Sequence, residues 1–232
     1  GGRPLLDSTF GARGANSGLE DAENLAWKLD RVLRKTSPEA LLESYHIERS
    51  AAADENIRES TRSTDFMAPN SHQEARLRKA VLSLARETEF GKRMVNGGRL
   101  SVPSVYETPL STSDAEVWRG GPRPGASMPD APVAAPSGDC LYLTDAFIRT
   151  GKRFTLLEFA NGADVEAPDG VGVIRIGGHD GLSDSAGLLA ARYDAEPGTA
   201  YLLRPDGYVA ARFRRPTRAA LDAALARAAG HN

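Results

Sequence analysis

Residues 10–33 read FGARGANSGLEDAENLAWKLDRVL, and residues 41–49 read LLESYHIER. In the first stretch Leu19, Ala22, Leu25, Ala26, Leu29, Val32 and Leu33 recur three or four apart. That spacing places them on one stripe of a helix opening at Asn16. Glu20, Asp21 and Glu23 near its start, and Arg31, Arg34 and Lys35 near its end, suit the helix dipole. Gly11, Gly14 and Gly18 surround its mouth, where the backbone can turn sharply and approach a flat ligand closely. Unpaired N–H groups at such a start favour an anion or an electron-rich carbonyl edge. The residues at this mouth are Gly11, Ala12, Arg13, Gly14, Ala15 and Asn16. An ordinary turn with Asn16 as its cap is the competing reading.

Working outward, Ser37-Pro38 predicts the cap and first residue of a second helix. It carries Leu41, Leu42 and Tyr45 inward and runs on into a polar, alanine-rich stretch near Ser60, and Pro69 ends that region. A third helix is expected from His72 to Phe90. Residues 100–136 hold seven prolines, too many for a helix or a central strand, so a short strand or two and an interdomain crossing near Asp114–Gly121 are expected. Beyond it, RFTLLEF (153–159) and VGVIRI (171–176) read as buried strands, compatible with a parallel pair. TAYLLR and YVAARF flank Pro205-Asp206-Gly207 as a hairpin. Short helical pieces at 185–191 and 216–229 complete an α/β (α+β) pattern, one mixed sheet with helices on its faces.

Composition narrows the function. The net charge is −2, with no basic stripe, so no nucleic-acid partner is expected. No apolar run approaches the roughly 20 residues of a membrane span, so no membrane partner is expected either. The single cysteine, Cys140, cannot form an internal disulfide or a CxxC pair, and reads as a half-buried structural thiol compatible with the cytoplasm. His46, His72, His179 and His231 lack ligand spacing, so no metal site is expected, and no side chain stands out as a catalytic nucleophile.

The ordered pattern from Phe10 through Leu29, followed by Leu41 through Arg49, resembles the FAD-dependent aromatic hydroxylases, the phenol-hydroxylase-like flavoprotein monooxygenases. More loosely, residues 153–229 resemble the thioredoxin-like C-terminal domain that many of these enzymes carry. The resemblance implies residues 1–115 as the mainly helical C-terminal part of the FAD/substrate-binding region, and 116–232 as a thioredoxin-like domain without redox cysteines. It implies FAD as cofactor, with Gly11 through Asn16 facing the isoalloxazine ring, NAD(P)H as co-substrate, and an aromatic small molecule that receives one oxygen atom. Two features depart from the family. The G-x-G-x-x-G dinucleotide fingerprint is absent. Gly1-Gly2 stands where the family has Gly-Asp, and Asp7 lies too near the loop to replace it. The expectation is thus a C-terminal portion, inactive alone, that needs a missing N-terminal portion or a homo-oligomer partner to cover the stripe on residues 19–33. The alternative is a stand-alone thioredoxin-like binding or dimerisation protein.

Overall fold

The computed structural model describes residues 14–95, 103–160 and 165–231. The chain divides into two compact units, one from the described parts of 1–22 and 49–104, the other from 23–48 and 105–232.

Helix α1, Gly14–Leu33, begins two residues before the expected start. Pro38 then opens a single 3₁₀ turn, Glu39–Leu42, before α2, Glu43–Met67. Ser37 is not a cap: its Oγ accepts a hydrogen bond from Arg31 Nε at 2.8 Å. Helix α2 continues through the polar stretch near Ser60 to Met67 and stops just before Pro69, the residue expected to end that region. The expected third helix is two. Thr88 leaves the helical region (φ −135°) between α3, His72–Glu87, and α4, Glu89–Val95. In this unit Arg49 on α2 holds α1: it donates to Asp21 Oδ1, to Glu20 Oε2 at 3.0 Å and to the Ser17 carbonyl at 3.3 Å.

In the other unit β1, Pro132–Ala134, and β2, Cys140–Tyr142, form a small antiparallel hairpin leading into α5, Leu143–Arg149. The main sheet contains β3, Thr155–Phe159; β4, Gly172–Ile176; β5, Ala200–Leu203; and β6, Val209–Phe213. Its order is β4-β3-β5-β6, with β3 and β4 parallel and the other two pairs antiparallel. About a dozen residues suffice for a parallel return. Here 160–171 make it, and no helix occurs among its described residues. Helix α6, Leu188–Arg192, and helix α7, Arg218–Ala228, complete the unit, with Thr217 capping α7 by accepting from the Ala220 N–H.

Period-2 alternation divides the sheet between two cores. Leu157, Phe159, Tyr201 and Leu203 face α5, α6 and the β1-β2 hairpin. Leu156, Ala200 and Leu202 face the other way, toward α7, where Trp27, Leu41 and Phe154 join the same side. The edge strand β6 is covered by residues 114–122, the stretch expected as a crossing. Arg212 donates to both oxygens of Asp114 and to the carbonyls of Gly120 and Pro122. The guanidinium carbons of Arg212 and Arg214 lie 4.3 and 3.8 Å from the Trp118 ring centroid. A strap bonded this way blocks the pairing of another chain along an edge strand. Cys140 is exposed, not half-buried, because in a short strand only Leu141 points into the core.

Candidate functional site

Gly11, Ala12 and Arg13 lie outside the described residues. Gly14, Ala15 and Asn16 form the first turn of α1, where the side chains of Ala15 and Asn16 are exposed and no acidic residue stands. A Cβ added at Gly18 would meet nothing within 4 Å. This helix start is therefore open, small-sided and free of negative charge.

The apolar stripe read from the sequence is not the buried face of α1. Leu19, Leu29 and Leu33 are exposed at 67%, 37% and 78%. Asn24, Trp27 and Lys28 are buried instead. They are spaced i, i+3 and i+4, so they share a face of their own. What covers them is a set of charged groups from distant parts of the chain. Glu48 accepts from Asn24 Nδ2 at 2.8 Å, from Lys28 Nζ at 2.8 Å, and from both terminal nitrogens of Arg204 at 2.7 and 3.0 Å. Asp206 accepts from Arg204, from Trp27 Nε1 at 3.0 Å and from Asn24 Nδ2 at 3.2 Å.

Arg204 is 1% exposed, and its guanidinium carbon lies 5.2 to 5.7 Å from the rings of Trp27, Tyr106 and Tyr208. The two tyrosines are stacked at 4.2 Å. Planar guanidinium suits both the bidentate carboxylate and the aromatic faces, and lysine would serve neither as well. The Arg204-Pro205-Asp206-Gly207 turn sets this geometry. Gly207 takes φ +77° and its N–H donates to the Arg204 carbonyl, so Arg204 and Asp206 leave the turn on one side. The two cations and two carboxylates balance, as buried charges must.

Burial pushes the Glu48 carboxyl up, but the charge and hydrogen bonds of Arg204, then Lys28 and Asn24, outweigh it and hold it at about 2. For Lys28, burial wins. With Arg204 adding repulsion against the attraction of Glu48, its pKa falls to about 8. The signs differ. The folded pKa of Glu48 lies below its ordinary 4.5, so its stabilisation is complete above pH 4.5 and is lost as pH falls toward 2. Protonated Lys28 opposes folding below pH 8, and that cost is released as pH rises from 8 toward 10.5. The stability difference between the wild type and Glu48→Gln should therefore be full at pH 7 and shrink below about pH 4.5. Urea denaturation at a series of pH values checks this, and a difference unchanged down to pH 3 would contradict it.

The polar residues that make the 10–29 and 41–49 patterns distinctive are thus internal fasteners. Asn24, Lys28 and Glu48 serve one unit, and Glu20, Asp21 and Arg49 serve the other. Residues 7–60 match the FAD binding domain family, and residues 121–232 match the aromatic-ring hydroxylase C-terminal family. The chain belongs to the FAD-dependent aromatic-ring hydroxylases. Among these hydroxylases it is 32% identical to tetracenomycin A2 monooxygenase-dioxygenase of Streptomyces glaucescens, over 95% of this chain and 40% of the relative. It is 28% identical to the 12-dehydrotetracycline 5-monooxygenase/anhydrotetracycline 6-monooxygenase of Streptomyces rimosus, over 86% of this chain and 36% of the relative. The crystal structure of the flavin-dependent monooxygenase PieE, in complex with FAD and substrate, superposes with a TM-score of 0.72 at 25% identity. That match covers 97% of this chain and 46% of PieE. The chain thus spans about two fifths of the length of the hydroxylases it matches. The stand-alone binding-protein alternative finds no support in these comparisons.

Among the described residues no His, Cys, Asp and Glu group could hold a metal ion. No described helix is long and apolar enough to cross a membrane. Reading the sequence missed Arg204, Asp206 and Glu48 as partners. The signal available was two charged residues in a hairpin turn, Arg204 and Asp206, beside apolar strands. Nothing local says where such a turn docks.

Proposed function

We propose that this chain is the C-terminal portion of an FAD- and NAD(P)H-dependent monooxygenase that hydroxylates an aromatic substrate, and that it is inactive alone. The observation that carries the reading is the start of α1, open and without acidic side chains, within a segment that matches an FAD binding domain. Gly11 through Asn16 would hold the flavin by backbone N–H groups, with the positive end of the helix dipole toward the pyrimidine edge of the ring. When bound, FAD supplies the redox chemistry: it is reduced by NAD(P)H and activates oxygen for transfer to the aromatic ring. The chain's own part is to position the ring edge, with Arg49 fastening the first turns of α1 through Glu20, Asp21 and the Ser17 carbonyl. By their names, the relatives above act on 12-dehydrotetracycline, anhydrotetracycline and tetracenomycin A2, which supports a polycyclic aromatic substrate here.

The same reading makes residues 1–115 the end of the FAD/substrate region and 116–232 a thioredoxin-like module. The mixed four-stranded sheet with helices on both faces supports the second part. It also puts the protein in the cytoplasm, with an N-terminal portion or a second copy as partner for the exposed leucines of α1.

Flavin titration tests the reading. After incubation with excess FAD and desalting, well under one flavin per chain should remain, because the dinucleotide fingerprint is absent from these residues. At equilibrium, flavin fluorescence should still be quenched saturably. Asn16→Asp should weaken binding roughly fivefold by setting a carboxylate at the helix start. Absence of saturable quenching, or quenching equal in the variant, would overturn the assignment of this loop. Stoichiometric retention of yellow flavin would overturn the view that the chain is insufficient alone.

A further inference from the structure

A cleft of about 520 Å³ opens beside α1 in the unit that holds the main sheet. Its floor is apolar: Trp27, Phe154, Val171 and Leu225 line it, and all four belong to one packed cluster. Trp27 meets Phe154 edge-on, with ring centroids 5.7 Å apart. Its rim is charged, and the charges are unequally matched. Each acidic side chain on the rim already has a cation: Glu23 has Lys152 at 2.6 Å, Asp30 has Arg34 at 2.7 Å, and Asp169 has Arg218 at 3.7 Å.

Two rim arginines do not. Arg31 donates to Ser37 Oγ and to the Thr36 carbonyl, and its guanidinium carbon lies 5.2 Å from the Phe154 ring centroid. Arg153 donates to the Thr150 carbonyl at 2.6 Å. Among the described residues, no carboxylate lies within salt-bridge distance of either one. Burial pushes the half-buried Arg31 guanidinium below its ordinary pKa, more than the charge of Asp30 restores. At the same rim Gly151 and Lys152 take successive left-handed conformations, φ +81° and +48°. A lysine held there is strained, and such strain concentrates at ligand clefts.

We propose that this cleft binds a small aromatic carboxylate, with its carboxylate on Arg31 and Arg153 and its ring on the Trp27–Phe154 floor. The volume is of small-molecule size and exceeds what an inorganic anion fills. An apolar floor with two rim cations that lack a carboxylate selects a flat body with one negative end. Every residue of this site lies in one compact unit, so the inference does not rest on the flavin reading.

The purified 232-residue chain is titrated with phenylacetate at pH 7, by calorimetry and by tryptophan fluorescence. Two comparison ligands are 2-phenylethanol, which keeps the ring without the charge, and inorganic phosphate, which keeps the charge without the ring. The expected result is saturable binding of phenylacetate with a Kd of about 1 mM or tighter, and at least roughly tenfold weaker binding of both comparison ligands. Arg153→Gln, at an exposed position, and Arg31→Gln should each weaken phenylacetate about tenfold. Circular dichroism confirms the fold of each variant, and Arg153→Gln decides if Arg31→Gln does not fold. No saturation by about 10 mM, unchanged binding in Arg153→Gln, or equal affinity for the alcohol or for phosphate would each overturn the proposal.

Discussion

Glu48→Gln should destabilise the protein by about 3–5 kcal/mol, the range for removing one partner of a buried, hydrogen-bonded charge network. Glu48 accepts from three side chains and is 1% exposed, so the amide would leave Lys28 and Arg204 with one carboxylate between them, Asp206, and no water to replace the other. In a domain of this size that loss lowers the melting temperature by about 6–20 °C. The control is Lys28→Met, which keeps the stem volume and removes the cation that burial already disfavours. Glu48 would retain Asn24 and the bidentate Arg204, so this change should cost clearly less than Glu48→Gln. Thermal and urea unfolding of the two variants measure the contrast. Equal losses would show that the network acts by packing and not by charge balance.

Gly125→Ala should be nearly as damaging, at about 3 kcal/mol or more. Gly125 sits at φ +88°, and its N–H donates to the Val209 carbonyl on β6 while its own carbonyl accepts from the Tyr106 N–H. An added Cβ would stand 2.0 Å from the Tyr106 carbonyl oxygen, a backbone atom that cannot swing aside. Left-handed strain of about 1–2 kcal/mol comes on top of that clash. Relief would move Tyr106 off Tyr208 and open the aromatic box around Arg204. Urea unfolding gives the cost, and tyrosine fluorescence or near-ultraviolet circular dichroism reports the loss of the box. A near-neutral alanine would mean that the 105–126 segment is not held against β6 in solution.

Both experiments probe contacts that join residues far apart in the chain, and there the reading of the sequence and the structure part. Local chemistry sufficed for β3, β5 and β6, whose compact apolar runs are buried, and for the Pro205-Asp206-Gly207 turn; β4, expected to be buried as well, is an edge strand with Val173 42% exposed. Local chemistry also sufficed for the helix from Gly14 to Leu33 to within two residues, and for the motif pattern that marks the family. It failed on the split at Thr88, where one extended residue ends α3 without any proline or glycine to announce it. It failed most plainly on which side of α1 is buried. Periodicity reports where the apolar side chains lie, and Leu19, Leu29 and Leu33 do share a face. Burial of Asn24 and Lys28 is favourable only because Glu48, 24 and 20 residues on, and Asp206, 182 residues on from Asn24, arrive to meet them. A charge becomes a core residue through its partners. Those partners are delivered by the 3₁₀ turn before α2 and by the hairpin between β5 and β6, so only the tertiary structure could select them.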